Sequence, residues 1–171
     1  FSLDISITNP SKAKILYRSE NHFGIAADSF YLPFVSESFD CVIASEIIEH
    51  VAEPSLFMKE LFRIVRKGGS LIITTPYKEK LIYYLCIHCN KKTPANAHIH
   101  SFDEKKLESL YKEGDLDSFN FEKFGNKLLI FLRTYVILKF FPFWLWRLKD
   151  KFFNLIINKP AHIICIYKKK Q

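Results

Sequence analysis

Two near-continuous apolar runs, Phe39 to Ser45 and Leu71 to Thr75, bracket a segment whose apolar residues recur at helical spacing. That segment runs from Pro54 to Lys67 and carries Phe57, Leu61, Ile64 and Val65 on one stripe. Short apolar runs bounded by turn signals suit strands covered on both faces, while a period near 3.6 suits a helix with one buried side. A strand, a crossover helix and a second strand pair in parallel and right-handed. The unit therefore demands an α/β layer architecture, a mostly parallel sheet with helices on its faces.

The rest of the chain extends that scheme. Phe1-Ser2-Leu3, ending in Asp4, reads as the last part of a strand, and Phe1 as a cut edge. Asn9-Pro10 is a helix-start pair, predicting a helix over 10–19. His22 to Ala27 is a short strand ending in Asp28, and Gly68-Gly69 supplies a left-handed stop for the helix before it. Residues 78–86 read as helical, and Ser101-x-x-Glu104 as a capping box opening a helix to about Lys112. Strands follow at 118–124 and 161–167, with a 127–158 insert between them. The predicted order is β-α-β-β-α-β-α-α-β-insert-β. A chain of 171 residues supports one domain with a real core, here a partial one spanning 1–171.

The formal charge of +7 is uneven: residues 127–171 hold ten Lys/Arg against the single acid Asp150, a balance of +9 against −2 for the remainder. A basic stripe attracts nucleic acid or anionic lipid, or is simply a solvated face; no nucleic-acid module accompanies it, so nucleic acid is not favoured. Four scattered cysteines make no disulfide scaffold and point to a reducing, cytoplasmic setting.

Four ordered blocks carry a family likeness: Asp4-Ile5-Ser6; Ala27-Asp28-Ser29 with Leu32-Pro33-Phe34; Ser38 through Val51, including Ser45-Glu46-Ile47-Ile48-Glu49-His50; and Arg66-Lys67-Gly68-Gly69 with Leu71 to Pro76. Together they resemble class I S-adenosylmethionine-dependent methyltransferases of the small-molecule type, similar to the methyltransferase type 11 group. The resemblance implies a Rossmann-like sheet, mostly parallel with an antiparallel final strand. It also implies a Gly-x-Gly loop after a first strand, and neither stands in this sequence, whose glycines are 24, 68, 69, 114 and 125. The expected chain is therefore N-terminally truncated and binds the cofactor poorly by itself.

The residues have their own chemistry beside that likeness. An acid at a strand end accepts hydrogen bonds from vicinal ribose hydroxyls, which suits Asp4; capping the approach to the following helix is the alternative. In similar enzymes an acid placed like Asp28 receives the adenine amino group, the Ser29 amide faces a ring nitrogen and a residue placed like Ile5 packs on the base; a turn acid is the plainer role for Asp28. Ser45 and Glu46 end a strand beside the expected sulfonium, though Glu46 also suits a solvated helix start. His50, next to Glu49, can take a proton from the methyl acceptor, or serve only packing and capping. Methyl transfer is an in-line displacement governed by proximity, so a base is optional.

Cys86-Ile87-His88-Cys89 supplies a C-x-x-C pair, with His98 and His100 beyond a turn-rich stretch. Cys86, Cys89, His98 and His100 would satisfy tetrahedral zinc, although H-x-H is tighter than usual; reduced cysteines in a substrate-facing loop are the competing reading. Residues 127–158 are aromatic and basic. Leu145, Leu148, Phe152 and Ile156 share one helical face and Arg147, Asp150, Lys151 and Asn154 another. This pattern predicts a helical lid that also meets a membrane surface, against a helical pair packed on its own domain or a dimer mate. The functional expectation is methyl transfer to a small-molecule acceptor; the alternative is a noncatalytic module of the same fold that binds a membrane surface or protein partner.

Overall fold

The computed structural model describes residues 1–171. Chain order is β1 (Ser2–Asp4), α1 (Thr8–Leu16), β2 (Gly24–Ala26), β3 (Phe39–Ser45), α2 (Pro54–Ile64), β4 (Val65–Pro76), β5 (Tyr83–Leu85), β6 (Lys92–Pro94), α3 (Glu104–Ser109), β7 (Leu116–Asn126), α4 (Lys127–Phe131), α5 (Tyr135–Leu138), α6 (Phe143–Ile156) and β8 (Pro160–Lys169). β3 and β4 pair in parallel, Val42 opposite Leu71 and Ser45 opposite Thr74. β8 lies antiparallel to β4 and β7 antiparallel to β8, giving the order β3-β4-β8-β7. Three strands of this sheet thus share a direction and the final strand opposes them, as the resemblance implied.

β1 and β2 form a separate parallel pair, Asp4 opposite Ala26, with no ladder to the four-stranded sheet. A cavity of about 190 Å³ lies between Phe1 and Leu3 on one side and Val42, Ile43 and Ala44 on the other.

The core forms where α2 lays Phe57, Met58, Leu61 and Phe62 on a sheet face carrying Leu71, Ile73 and Ile163. Each such side chain contributes about 1.5–3 kcal/mol by leaving water. Burial pushes the Cys165 thiol up to about 12, so this cysteine is an inert core residue. Arg63 on α2 donates to the carbonyls of Leu32 and Phe34 and pairs with Glu60, which in turn accepts the Leu32 amide. The segment behind Asp28 is thereby tied to the core helix.

Several local expectations give way to tertiary structure. α1 begins at Thr8, with no side-chain cap, and Asn9 instead donates its amide to Asp4 Oδ2 at 2.9 Å. Gly68-Gly69 does not end α2. The helix stops at Ile64, where Lys169 Nζ donates to the carbonyls of Phe62 and Val65 and satisfies groups the helix leaves free. The two glycines sit in a register shift of β4, which passes from Phe39 opposite Val65 to Cys41 opposite Ser70. A Cβ on Gly69 would lie 2.8 Å from Arg66 O and 2.9 Å from Asp40 O, so only glycine fits that approach. Residues 78–86 are not helical: Tyr83–Leu85 pairs antiparallel with Lys92–Pro94. The aromatic run is a good strand former, and Asn90 adopts the positive φ of 51° in the connecting turn. Asp103, not Ser101, caps α3, accepting the Lys106 amide.

Behind α3, Lys123 Nζ donates to Glu104 Oε1 at 3.0 Å and lies 4.5 Å from the Tyr77 ring centroid. The backbone amide of Glu104 first, then Lys123 and Tyr77, outweigh desolvation and hold the Glu104 carboxyl down at about 2. A carboxyl lowered on folding adds stability that is complete above its unfolded value and fades as pH falls toward the folded one. The stability difference between the protein and its Glu104→Gln variant is therefore expected to reach about 1–3 kcal/mol near neutrality and to vanish between about pH 4.5 and 2, as measured by urea unfolding across that range.

Candidate functional site

Asp4 and Asp28 close the two strands of the β1–β2 pair. Asp4 Oδ1 accepts the Ser6 amide at 2.8 Å and Oδ2 the Asn9 side chain, and these two bonds, the Asn9 one foremost, lower its carboxyl below the usual range. Asp28 Oδ1 accepts the Phe30 amide at 2.9 Å, an Asx-type turn. Each carboxylate is thus oriented by its own loop, and each keeps lone pairs free, since an ionised carboxyl offers about four acceptor positions. Ile5 is exposed, and Ser29 lines the 190 Å³ cavity together with Ala44 and Ile47 of the other half.

The end of β3 is more tightly built. Ser45 Oγ and Thr74 Oγ1 lie 2.8 Å apart, Thr74 donates to Glu46 Oε1 at 3.0 Å, and His162 Nδ1 stands 3.4 Å from Glu46 Oε2. Glu46 has φ of 53°, a left-handed conformation costing a side-chain-bearing residue about 1–3 kcal/mol. Its amide donates to Thr74 O, so β4 holds it there, and His162 stacks on Phe124 of β7.

One turn farther, Glu49, His50 and His98 bring their ligand atoms within 4.8 Å of one another. Glu49 is 1% exposed; Oε2 accepts from Thr75 Oγ1 at 2.9 Å, and Oε1 is buried with no protein partner, 4.0 Å from His50 Nε2. His50 Nδ1 faces the Ala97 carbonyl at 3.2 Å and His98 Nδ1 faces Glu79 Oε2 at 2.5 Å. Acceptors on both Nδ1 atoms select the tautomers whose Nε2 lone pairs are free. A carboxylate oxygen and an imidazole nitrogen of His50, with His98 packed edge-on at 4.7 Å, make a site that can take up a proton or hold a divalent cation.

The expected zinc set does not assemble. His98 belongs to the Glu49–His50 group, and that group of three excludes both cysteines. Cys86 and Cys89 sit at the tip of the β5–β6 hairpin, where the amides of Cys89 and then His88 lower the Cys86 thiol. His100 donates its backbone amide to Glu49 O, and its Nε2 is buried without a partner. The hairpin that replaced the expected helix carries the thiols away from the imidazoles. A cavity of about 800 Å³ runs along α2 between Glu53, Lys59, Tyr111 and Asp115, and none of the sequence-predicted site residues lines it.

Sequence reasoning missed Thr74, Thr75, Glu79 and His162. Each acts through a partner 19 to 116 positions away, and nothing local marks it.

Residues 1–73 match a family model described as a methyltransferase domain. The mitochondrial ubiquinone biosynthesis O-methyltransferase of Mus musculus is 44% identical over 52 residues, 30% of this chain and 14% of that protein. Its Rattus norvegicus counterpart is 34% identical over 87 residues, 47% of this chain and 25% of the rat protein. A solved S-adenosylmethionine-dependent methyltransferase of Methanosarcina mazei shares the fold with a TM-score of 0.60 at 16% identity, over 98% of this chain and 80% of its own. The chain thus covers a quarter or less of these two curated relatives.

Proposed function

We propose that this chain, which has the class I methyltransferase fold, belongs to an S-adenosylmethionine-dependent enzyme that methylates a hydroxyl oxygen of a small-molecule acceptor. The observation that carries the reading is the placement of Asp4, Asp28 and Ser45-Glu46 at the carboxyl ends of parallel strands, where open α/β sheets take their ligands. The relatives' names support oxygen as the receiving atom and weigh against a noncatalytic module.

The residues present fit the nucleoside half of the cofactor. Asp4 has acceptor capacity for the ribose hydroxyls, Asp28 and the Ser29 amide for the adenine edge, and exposed Ile5 for the face of the base. No Gly-x-Gly loop for the methionine half occurs in these 171 residues. When bound, S-adenosylmethionine supplies an electrophilic methyl group on a sulfonium. Glu46, held at the end of β3 by Thr74, would supply a negative field toward that charge. His50 Nε2, its lone pair left free by the Ala97 carbonyl on Nδ1, would take up the proton that the acceptor's hydroxyl gives up.

Calorimetry with S-adenosylhomocysteine on the intact protein tests the cofactor site. Asp4→Ala is expected to weaken binding at least about tenfold, roughly 1.4 kcal/mol. Unchanged affinity rejects the ribose contact.

A further inference from the structure

α6 is an amphipathic helix mounted inside out. Asp150, 3% exposed, points into the fold, where Oδ2 accepts the Gly125 amide at 3.0 Å and Oδ1 the Asn126 amide at 2.6 Å. Asn154, one turn on, donates to Asp150 and accepts from Asn126. Arg147 and Lys151 both reach Glu122 on β7. The polar stripe is thus the attachment, and the apolar stripe faces outward: Trp144 is 64% exposed, with Leu148 and Phe152 close to that, and Leu155 84%. A surface helix ordinarily does the reverse, turning its apolar stripe to the core. Of the expected apolar face, Leu148, Phe152 and Ile156 are exposed and Leu145 is half-buried, while Trp144 and Leu155 join the outward surface.

The apolar surface continues beyond α6. Phe131 and Ile137 around the α4–α5 turn, and Phe140 before α6, are all more than half exposed. Six Lys/Arg lie within 127–158 against one acid, and that acid is the buried Asp150. Arg147 and Lys151 are spent on Glu122, which leaves Lys127, Arg133, Lys139 and Lys149 without an acidic partner. No helix is long and apolar enough to cross a membrane.

We infer that residues 127–158 dock this protein in the plane of an anionic lipid bilayer, with Trp144, Leu148, Phe152 and Leu155 entering the interface and the unpaired cations meeting the headgroups. Charge chooses the occupant. A second copy would bring the same unpaired cations against these, whereas an anionic bilayer supplies both an apolar layer and the counter-charge. An exposed tryptophan with a basic fringe is the chemistry that the headgroup boundary favours. The inference is independent of the methyl-transfer reading, because every residue it uses lies outside the strand-end site.

Vesicle flotation tests it, using phosphatidylcholine alone and phosphatidylcholine with 30 mol% phosphatidylglycerol, about 1 mM lipid in each. The protein is expected to float with the anionic vesicles, with partitioning roughly tenfold weaker on neutral ones. Binding should be weakened by salt and accompanied by a blue shift in tryptophan emission. The triple variant Trp144→Ser, Leu148→Ser, Phe152→Ser replaces exposed side chains; it should keep the melting temperature and lose flotation. Should that variant not fold, Lys127→Glu with Lys139→Glu gives a second reading, expected to abolish the preference for anionic vesicles. No flotation with anionic vesicles, or flotation that both variants leave unchanged, overturns the inference. A concentration-dependent dimer dissolved by the triple variant, without vesicle binding, also overturns it and assigns the face to a second copy.

Discussion

Replacing Asp150 with alanine is expected to cost the fold about 2–5 kcal/mol and to lower the melting temperature by roughly 5–15 °C. The carboxylate receives the amides of Gly125 and Asn126, both buried, and the side chain of Asn154. Alanine leaves two buried backbone donors without partners, and each unpaired donor costs more than an ordinary hydrogen bond contributes. Little else compensates, because α6 turns most of its large apolar side chains to solvent. Gly125 has φ of +72°, so the chain makes its sharp exit from β7 where Asp150 holds it. Asp150→Asn keeps one acceptor oxygen and is expected to lose less. Urea unfolding followed by circular dichroism measures the loss, and hydrogen exchange at Gly125 and Asn126 locates it. A loss below about 1 kcal/mol, with both amides still protected, would show that the network is not what anchors the helix.

Asp150 also illustrates what a sequence can disclose and what it cannot. The period of 127–158 separated two faces of the second helix, since spacing alone fixes which residues share a side. Which side faces inward depends on what the neighbouring strand offers, and β7 offers two unsatisfied amides and Glu122. The same division runs through the fold. The β3–α2–β4 unit was legible because its apolar runs and helical stripe carry their own periods, and the acids at strand ends followed from topology. The hairpin at 83–94 was not legible: a short aromatic run reads equally as strand or helix, and pairing with Lys92–Pro94 decided it. In the site, Glu46 and His50 stood out as residue types, but the left-handed backbone of Glu46 and its contacts with Thr74 and His162 arise only when β4 and β8 meet β3. The zinc expectation failed for a related reason. Ligand count was favourable, yet His98 meets Glu79 and His50, and the group it joins excludes both cysteines.

His50→Ala is expected to reduce turnover of the intact enzyme by about 10²–10⁴-fold on an acceptor whose hydroxyl is un-ionised, if its Nε2 removes the acceptor's proton. The geometry that favours this role is the Ala97 carbonyl on Nδ1, which leaves the Nε2 lone pair free, and the unpaired Glu49 Oε1 4.0 Å from it, which stabilises an imidazolium once the proton arrives. A purely structural histidine would give a different pattern, in which activity and stability fall together. Three measurements separate the two. Affinity for S-adenosylhomocysteine should stay within about twofold, since the proposed nucleoside contacts are those of Asp4, Asp28, Ser29 and Ile5 and not of His50, and a change of that size is under 0.5 kcal/mol. The melting temperature should move little, because the side chain is more than a third exposed. The deficit in turnover should shrink toward unity with a phenolic acceptor already ionised at the assay pH, for then no proton remains to be taken. A variant within about threefold of the parent on un-ionised acceptors would leave methyl transfer to proximity alone, and a deficit that persists with the ionised acceptor would make His50 a positioning residue for the substrate.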